Sequence, residues 1–439
     1  MSDELSHDEI KDAVKRGYTE RLQTGSCCGP RPAAIGPEGR RRSLQDTLGY
    51  APAQLEGVPA GAVSSSFGCG NPLAFADARP GDTVLDIGSG AGIDCLIAAQ
   101  TVGTTGRVIG LDMTEAMIER AREHARQAGA TNVEFRLGDA DAMPVDDATV
   151  DLVVSNCVIN LAPDKEAVFR EVARVLRPGG RVAISDIVLS DDAAELPAAL
   201  RRDPDLLVAC VAGAIGESAY LDAMRKAGLT GVAVTERMVY GEETVREFLS
   251  CGCGPAGGDE GPTDSLAKLR GTLGGKVWSA RVVGRKPVPP ELARAITVEP
   301  AHAADLPALL GLLRAASLPE TGVEAHLETF LLARGAGRPV GCAGLELHGD
   351  TALLRSLAVD AGWRGLGLGR RLAEEAERLA VARGALRAVL LTSTVRELAA
   401  KLGFVEVDRA SLPAEVRGSW EFTSCACDSA SCMAKRLKP

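Results

Sequence analysis

The sequence predicts two successive domains, an α/β domain built on a parallel, doubly wound sheet and a smaller α+β domain. In the first half, short apolar strands alternate with amphipathic helices, an order that produces a parallel sheet with helices on both faces. A proline-rich segment, Arg285–Leu292, carries three prolines in four positions and is typical of a stiff linker. We therefore expect a first domain over residues 1–285, a linker over 286–293 and a second domain over 294–439.

The elements of the first domain follow from apolar periodicity. A helix is predicted from His7 to Leu22, before a loop rich in glycine and proline. Five apolar strands are predicted at Thr83–Ile87, Arg107–Leu111, Val133–Leu137, Val150–Ser155 and Arg181–Ser185. Helical patterns separate most of these strands, for example Glu115–Ala128 and Lys165–Leu176. Two later strands, Val232–Val239 and Lys276–Val283, are expected to extend the sheet.

The second domain has a different order of elements. It opens with a predicted strand at Ala295–Glu299 and an amphipathic helix at Ala303–Ala315. Further strands are predicted at Val340–His348, Ala352–Val359, Ala388–Thr392 and Phe404–Val407. Helices are predicted from about Leu368 to Arg383 and at Val395–Leu402. This order indicates a mostly antiparallel sheet.

Composition limits the class of protein. The chain has 439 residues and a formal net charge of −10, which argues against nucleic acid as a partner. No apolar run reaches the roughly 18 residues that a membrane helix needs. The charged N-terminal segment lacks the apolar core of a signal peptide. We expect a cytoplasmic protein that binds neither nucleic acid nor membrane.

The chain contains twelve cysteines, which in a reducing compartment favour free thiols, metal or metalloid binding, or catalysis over structural disulfides. Cys95 and Cys342 lie in apolar helix and strand patterns and are expected to be small buried residues. The segments CGC (251–253) and CACDSASC (425–432) lack the usual zinc spacing. Either is a possible metalloid handle, although CGCGPAGG is more typical of a flexible loop.

A glycine-rich turn, VLDIGSGAGID, follows the first predicted strand. Its glycines, Gly88, Gly90 and Gly92, allow a tight turn and close approach of a ligand to a helix N-terminus. Asp112 follows at the end of the second strand, where a carboxylate can accept hydrogen bonds from ribose hydroxyls. Asp86, within the first strand, would repel a pyrophosphate but tolerate a sulfonium cation. Further cofactor contacts are predicted from residues after the second, third and fourth strands: Met113, Asp139, Ala140 and Asn156.

Taken together, these motifs resemble the class I S-adenosylmethionine-dependent methyltransferases over residues ~70–285, with their Rossmann-like sheet. Asp139 would then bind the adenine amino group. Three cysteine segments, SSSFGCGNP, SNCVINL and CVAGAIGESAY, are similar to those of arsenite methyltransferases. The resemblance implies that Cys69, Cys157 and Cys210 bind arsenic(III) as the substrate, with an upstream cysteine matching Cys27 or Cys28. It implies arsenite or its thiol conjugates as substrate, and thioredoxin or glutathione as reductant.

The chemistry of arsenic fits thiol ligands. Trivalent arsenic is soft and binds thiolates, and its lone pair can attack the methyl carbon of the sulfonium without a general base. The only histidine within residues 8–285 is His124, which we expect on a helix surface. A further thiol, such as Cys69 or the pair Cys27 and Cys28, can reduce the oxidised arsenic by forming a transient disulfide. This redox step is a hypothesis.

Two other functions agree with the same residues. One is a class I methyltransferase that acts on a carbon or oxygen acceptor and has incidental cysteines. The other is a metalloid-binding protein without catalytic activity.

A second glycine-rich turn, RGLGLG, lies at a predicted helix start in the second domain. Arg364, Gly365, Gly367, Gly369 and Arg370 would cradle a pyrophosphate. The preceding strand, through Leu357 and Val359, would pair with a pantetheine arm. Together with AKLGFVEV, this segment resembles GNAT acyl-CoA N-acetyltransferases over residues ~294–439 and implies acetyl-CoA as cofactor.

The second domain departs from the GNAT pattern at one position. Many GNAT domains place a tyrosine, the acid for the leaving thiolate, where this chain has Ala399. Glu346 is a possible base, but an ordinary carboxylate at a sheet edge is the favoured interpretation. No catalytic residue is assigned in this domain.

Overall fold

A computed structural model describes residues 6–24, 49–65, 68, 70–193, 213–241, 273–424 and 430–438. The chain divides into two compact units, Met1–Pro287 and Val288–Pro439. None of the helices in the described ranges is long and apolar enough to cross a membrane.

The first unit has one mixed sheet in its described part. Its strands are β1 (Thr83–Ile87), β2 (Arg107–Asp112), β3 (Val133–Leu137), β4 (Val150–Asn156), β5 (Leu176–Leu189), β6 (Thr230–Val239) and β7 (Val277–Arg285). Its α-helices are α1 (His7–Thr24), α2 (Pro52–Leu55), α3 (Ala60–Ser64), α4 (Ile93–Val102), α5 (Glu115–Gln127), α6 (Lys165–Val175) and α7 (Glu217–Lys226).

The strand order in this sheet is β3-β2-β1-β4-β5-β7-β6. Strands β1 to β5 are parallel, whereas β7 is antiparallel to both β5 and β6. The predicted doubly wound fold is confirmed. The order reverses between β1 and β4, which are hydrogen-bonded neighbours. Ligands of open α/β sheets bind in the crevice at such a reversal, beyond the carboxyl ends of the strands.

The central strand β1 is buried on both faces, as parallel strands require. Val84, Leu85 and Ile87 are fully buried. The adjoining Asp86 is also buried, although it is charged in water. Burial of a carboxylate here costs free energy unless the group contacts a ligand or accepts hydrogen bonds. Asp86 therefore indicates a polar site near the carboxyl end of β1.

The second unit contains a second seven-stranded sheet in its described part. Its strands are β8 (Thr297–Pro300), β9 (Leu331–Gly335), β10 (Arg338–His348), β11 (Thr351–Val359), β12 (Arg387–Thr392), β13 (Val405–Glu406) and β14 (Ser431–Arg436). Its α-helices are α8 (Pro290–Arg294), α9 (Leu306–Ala315), α10 (Leu368–Ala382), α11 (Arg396–Lys401), α12 (Ala414–Arg417) and α13 (Trp420–Thr423).

This sheet has the order β13-β14-β12-β11-β10-β9-β8. Only the β11–β12 pair is parallel, so the predicted α+β order around a mostly antiparallel sheet is confirmed. Strands β9 and β14 were not predicted. β14 lies in the cysteine-rich tail, where its apolar residues Cys432, Met433 and Ala434 are consecutive and show no alternation, because both faces of the strand are buried.

Candidate cofactor and thiol sites

A glycine turn at the carboxyl end of β1 forms the floor of a cleft of about 980 Å³. Gly88, Gly90 and Gly92 all have left-handed φ angles, of 74°, 50° and 94°. A Cβ atom on Gly88 would overlap Val158, whereas one on Gly90 would meet nothing within 4 Å. The space beside Gly90 therefore remains part of the cleft. The left-handed backbone conformation requires glycine at both positions.

Asp112, at the end of β2, holds this turn in place. Its Oδ2 accepts a hydrogen bond from the Gly90 N–H at 2.9 Å, and its Oδ1 accepts one from the Thr114 N–H at 2.8 Å. Burial raises the pKa of Asp112, although these backbone donors oppose the shift. Carboxylate oxygens have additional lone pairs, so the side chain can still accept hydrogen bonds from a ligand.

The structure brings most of the predicted cofactor-binding residues of the first unit together. Asp86 lies in β1 and Gly92 at the end of the turn, and neither lines the cleft directly. The predicted residues that line it are Gly88, Gly90, Asp112, Met113, Asp139, Ala140 and Asn156.

The charge of the cleft fits a cationic cofactor. Four aspartates and one lysine are the charged residues in the described lining: Asp94, Asp112, Asp139, Asp141 and Lys11. Two buried oxygens beside the turn, Asp86 Oδ1 and Ser89 Oγ, have no hydrogen-bond partner among the described residues. Of these two residues only Ser89 lines the cleft, where a ligand or water can satisfy its hydroxyl. An anionic dinucleotide would meet repulsion here, whereas a sulfonium would be attracted.

A second hydrogen-bond network, absent from the sequence predictions, crosses the cleft floor. The Tyr50 hydroxyl donates to Asp94 Oδ1 at 2.8 Å, and Asn156 Nδ2 lies 3.2 Å from Asp94 Oδ2. Burial raises the pKa of Asp94 to about 6, and the two donors oppose that shift. Tyr50, Asp94 and Asn156 therefore link the segment before the sheet to the start of α4 and the end of β4.

The raised pKa of Asp94 predicts how cofactor affinity depends on pH. Without a ligand, Asp94 stabilises the folded state fully at a pH below its ordinary pKa of 3.8. This stabilisation is lost as the pH rises through about 6, the pKa in the folded state. A bound sulfonium favours the ionised carboxylate. We therefore expect the affinity for S-adenosylmethionine to increase as the pH rises through about 6, and that for S-adenosylhomocysteine, which lacks the sulfonium charge, to change less.

Calorimetric titrations across this pH range test the expectation. Asp94→Asn should flatten the S-adenosylmethionine profile, whereas the exposed control Asp146→Asn should preserve it. Identical pH profiles for both ligands in the wild-type protein would contradict the electrostatic argument.

Helix α1 covers one side of the cleft. Lys11 and Tyr18 line the cleft, and Val14, on the same helical face, is fully buried in a cluster with Cys157 and Leu161. Lys11 Nζ lies 2.9 Å from Asp141 and 3.3 Å from Asp139. The helix is thus held in place by the burial of Val14 and by the two ionic contacts of Lys11.

Lys11→Met is expected to loosen α1 without detaching it, because Val14 remains buried. A partly exposed ion pair contributes about 0.2–1 kcal/mol, which corresponds to amide exchange up to about fivefold faster in the helix. Hydrogen-exchange mass spectrometry of the peptide that contains residues 7–24 measures this change. Arg16→Met, which alters an exposed residue of the same helix, serves as the control. Equal exchange in wild type and Lys11→Met would refute the fastening role.

Cys157 directly follows β4 at the carboxyl edge of the sheet. Its φ is 63°, an unusual value for a residue with a side chain, and its N–H donates to the Ser185 carbonyl at 2.8 Å. The residue is 4% exposed. It packs in a cluster that also contains Met113, a residue of the cleft lining. Cys157 thus lies between Asn156 and Val158, which line the cleft, but it does not line the cleft itself, and its backbone conformation is constrained.

The predicted residues Cys27, Cys28, Cys69 and Cys210 lie outside the described residues. The sequence neighbours of Cys69 are described, and they contact Asn156, which precedes Cys157, and Ser185, which accepts its N–H. The Gly70 carbonyl accepts a hydrogen bond from Asn156 Nδ2 at 2.7 Å. A Cβ atom on Gly68 would overlap the Asn156 side chain, and one on Gly70 would overlap Ser185.

The described chain after Cys210 approaches the same edge of the sheet. Gly213 lies so close to the Asn160 carbonyl that a Cβ atom would overlap it. Ala214 belongs to the buried cluster that contains Cys157. No cluster of three or more metal-binding side chains occurs in the described ranges.

The other described cysteines are buried. Burial raises the pKa of the Cys342 thiol to about 12, and it also raises the pKa of Cys432 in β14. The Cys95 thiol lies 3.3 Å from Asp86 Oδ2. Burial is the main cause that raises the pKa of this thiol, and the Asp86 carboxylate raises it further. The expectation that Cys95 and Cys342 are small buried residues is confirmed.

His124 was expected on a helix surface, and this expectation is wrong. The residue is 3% exposed, and its Nδ1 lies 2.8 Å from the Ala91 carbonyl in the glycine turn. It belongs to the buried face of α5, with Met117, Ala121 and Ala125. His124 thus connects α5 to the turn, but it does not line the cleft.

In the second unit, the predicted phosphate-binding turn lies at the start of α10. Gly365 and Gly367 have left-handed φ angles of 79° and 78°, and a Cβ atom on either would meet nothing within 4 Å. Arg364 and Arg370 are exposed on either side of them. Gly369 packs near Val359 and Leu398. An exposed helix N-terminus with two arginines fits a pyrophosphate.

A cavity opens where β11 and β12 diverge. Their parallel pairing ends at Leu354 and Leu390, and the register of β11 against β10 shifts near Ser356, whose φ is 58°. Leu357 lines the cavity. Val359 does not line it, and its carbonyl accepts a hydrogen bond from Arg364 Nε at 3.0 Å. On the side of β12, the end of β11 thus has no strand partner and is accessible to a pantetheine arm, although its other side pairs with β10.

The interpretation of Glu346 as an edge carboxylate is wrong. Glu346 lies beyond Ala343, where pairing of β10 with β9 ends, but it is 4% exposed and so is not an ordinary surface carboxylate. Its Oε1 pairs with Arg355, a residue of the adjacent strand. Ala399 is buried in the cavity lining, so it offers no proton donor at that position.

Two family matches agree with these two sites. Residues 78–228 match a family described as a methyltransferase domain, and residues 300–404 match the acetyltransferase (GNAT) family. The first match implies S-adenosylmethionine as cofactor, and the second implies acetyl-CoA or another acyl-CoA.

Curated relatives are similar to the first unit. An arsenite methyltransferase of Halobacterium salinarum is 44% identical over 250 residues, which are 55% of this chain and 62% of that protein. One from Mus musculus is 37% identical over 222 residues, 47% of this chain and 54% of that protein. The chain thus spans little more than half the length of these relatives.

One solved structure, of an arsenic(III) S-adenosylmethionine methyltransferase from Chlamydomonas reinhardtii, is 33% identical. It covers 54% of this chain and 73% of its own, with a TM-score of 0.44. The two family matches and the curated relatives show that the chain joins a methyltransferase domain, related in sequence to arsenite methyltransferases, to a second domain of the GNAT family.

Proposed function

We propose that the first unit transfers the methyl group of S-adenosylmethionine to trivalent arsenic bound by Cys69, Cys157 and Cys210. The observation that carries this proposal is the packing around Cys157. Gly68 and Gly70, on either side of Cys69 in the sequence, lie against Asn156 and Ser185, and Cys157 donates its N–H to that serine. The approach of Gly213 to Asn160 supports the inclusion of Cys210.

The residues of the cleft have distinct roles in this reaction. The glycine turn and Asp112 would hold the cofactor, which supplies an electrophilic methyl carbon on a sulfonium. The surrounding aspartates would stabilise its positive charge. The thiolates would hold arsenic so that its lone pair attacks that carbon in line, and burial of Cys157 would exclude water. Positioning of this kind is worth about 7–11 kcal/mol of a bimolecular barrier.

No general base is needed, because the arsenic nucleophile has no proton to lose. The described lining of the cleft contains no histidine, in agreement with this mechanism. Each methylation oxidises the arsenic formally by two electrons, and a thiol pair can return them by forming a disulfide. We propose that Cys69 or the pair Cys27 and Cys28 supplies the reducing thiols for this step, and that thioredoxin or glutathione reduces the disulfide. A reducing compartment such as the cytoplasm favours this chemistry.

Arsenic speciation after incubation with S-adenosylmethionine and a thiol tests the proposal. Chromatography coupled to elemental mass spectrometry should detect methylarsenicals with S-adenosylmethionine and none with S-adenosylhomocysteine. Methyl transfer to phenols or quinones without arsenite would instead support a carbon or oxygen acceptor. Arsenite binding without any transfer would indicate a metalloid-binding protein.

The second unit is proposed to bind acetyl-CoA and to acetylate an amine. The exposed glycine turn at α10 and the divergence of β11 from β12 support this assignment. Calorimetric titration of the full chain with acetyl-CoA tests it, because Arg364→Glu should weaken binding through charge repulsion of the pyrophosphate.

A further inference from the structure

A buried aspartate that the proposed reaction does not use lies close to Cys157. Asp186 belongs to β5 and is 0% exposed. It directly follows Ser185, whose carbonyl accepts the N–H of Cys157 at 2.8 Å. Asp186 does not line the cofactor cleft. Burial of a carboxylate costs free energy unless hydrogen bonds stabilise it, so the partners of Asp186 indicate its role.

Each carboxylate oxygen of Asp186 accepts two hydrogen bonds. Oδ1 accepts one from Asn160 Nδ2 at 2.9 Å and one from the Ile187 N–H at 3.0 Å. Oδ2 accepts one from the Asn160 N–H at 3.2 Å and one from the Tyr220 hydroxyl at 3.1 Å. Burial raises the pKa of Asp186 to about 7, and the charge of Lys165 together with these donors opposes that shift. Four donors on one carboxylate favour its ionised form.

The donors belong to two segments that meet beside the thiol site. Asn160 lies in a 3-10 turn, three residues after Cys157. Tyr220 lies in α7, a few residues after Gly213. A Cβ atom on Gly213 would overlap the Asn160 carbonyl, so the chain before α7 lies directly against the turn. Asp186 thus holds the turn after Cys157 and the helix behind it with a single side chain.

The backbone of Cys157 needs a restraint of this kind. Its φ of 63° is strained for a residue with a side chain, and such strain persists only where the surrounding structure imposes it. Ser185 holds the N–H of Cys157, and Asp186 holds Asn160 through both its N–H and its side chain. Adjacent residues of β5 therefore fix the turn at both ends. Release of one end would let the turn relax and would move the Cys157 sulfur.

We propose that Asp186 is a positioning residue for the methylation of arsenic and that, through Asn160, it holds Cys157 in the orientation that binds arsenite. This inference rests on the proposed arsenite methylation by the first unit. The glycine turn and Asp112, which would hold the cofactor, are fixed by their own hydrogen bonds. Loss of the Asp186 carboxylate should therefore weaken arsenite binding more than binding of S-adenosylmethionine.

Asp186→Asn tests this role because it keeps the size of the side chain. The new NH2 group must take the place of one oxygen. In place of Oδ1 it faces the N–H groups of Asn160 Nδ2 and Ile187, and in place of Oδ2 it faces the Asn160 N–H and the Tyr220 hydroxyl. Only the hydroxyl can turn and accept. In either orientation the turn or the strand loses a hydrogen bond to the carboxylate.

Steady-state kinetics of the full chain with arsenite, S-adenosylmethionine and a thiol, at about pH 8 and thus above the pKa of Asp186, measure the effect. Asp186→Asn should raise KM for arsenite about tenfold or more, the loss expected for a hydrogen bond to a charged group. The Kd for S-adenosylmethionine, from calorimetry, should stay within about threefold of wild type. Tyr220→Phe removes one donor of four and should raise KM for arsenite about two- to fivefold.

Asp151→Asn is the matched control. Asp151 is a buried strand residue that accepts a backbone N–H, from Thr83 at 2.9 Å, but it lies at the start of β4, at the opposite end of the strand from Cys157. Both aspartate variants should lower the free energy of unfolding. Only Asp186→Asn should raise KM for arsenite.

Each other result overturns a defined claim. Absence of arsenite methylation by wild type would overturn the proposed function, and the role of Asp186 with it. Methylation by wild type with the same KM for arsenite in both aspartate variants would overturn the positioning role alone, and so would an equal loss of arsenite and S-adenosylmethionine binding. If Asp186→Asn does not fold, Tyr220→Phe decides, and an unchanged KM for arsenite in that variant would overturn the role.

Discussion

Replacement of Cys157 by serine is expected to reduce methylation of arsenite by at least about 100-fold, a loss typical of a misplaced reacting group. Serine is nearly as large as cysteine, so it should leave the glycine turn and the aspartates of the cleft in place. Its hard oxygen, however, is a poor ligand for soft arsenic(III). Affinity for S-adenosylmethionine should therefore stay close to that of wild type while turnover is lost.

Cys432→Ser is the matched control for this variant. Cys157 and Cys432 are each 4% exposed, but Cys432 lies in β14 of the second unit. Both substitutions place a hydroxyl in a buried position and should cost similar stability, whereas only Cys157→Ser should lose methylation. Speciation of arsenic and calorimetry with S-adenosylmethionine measure the two effects. Comparable methylation by wild type and Cys157→Ser would eliminate Cys157 as an arsenic ligand.

The backbone at Cys157 gives an independent reason to single out this residue. A left-handed φ of 63° is costly for any residue other than glycine. Strain of this kind, of order 1–3 kcal/mol, persists where the surrounding structure imposes it, and it concentrates at functional sites. The conformation directs the chain from β4 into the turn that contains Asn160. It is a structural property that no sequence pattern indicates.

The parts of the cleft that sequence predicts are those set by local chemistry. Gly88, Gly90 and Asp112 could be placed because strand, turn and helix alternate with a fixed period and because a left-handed turn needs glycine. Contacts between distant segments could not be placed. Tyr50 precedes its partner Asp94 by 44 residues, and Lys11 precedes Asp139 by 128.

The errors in the sequence predictions have the same origin. His124 lies in a polar segment, and only its spacing from Met117 and Ala121 indicated the buried face of α5. The sequence around Glu346 does not show that Arg355 of the adjacent strand pairs with it in a buried position. For both residues the predicted type of secondary structure was correct. The sequence did not show which element packs against the side chain.

The second large effect is expected at Gly88, where alanine should destabilise the first unit by about 2–5 kcal/mol. Two costs add at this position. The left-handed φ of 74° is strained for alanine, and the new Cβ would overlap Val158. Because Val158 also lines the cleft, any shift that relieves the overlap should weaken binding of S-adenosylmethionine as well.

Gly129→Ala separates the two costs. Gly129 also has a left-handed φ, of 64°, but a Cβ atom there would meet nothing within 4 Å. Gly129→Ala should lower the free energy of unfolding by the conformational cost alone, about 1–2 kcal/mol. Adding Val158→Ala to Gly88→Ala should recover part of the steric cost, as a coupling energy in a double-mutant cycle. Denaturant unfolding, monitored by hydrogen exchange in peptides of the first unit, measures the free energy of unfolding of each variant. If Gly88→Ala and Gly129→Ala lose the same free energy of unfolding, Val158 does not confine the turn, and the strained backbone alone accounts for the glycine.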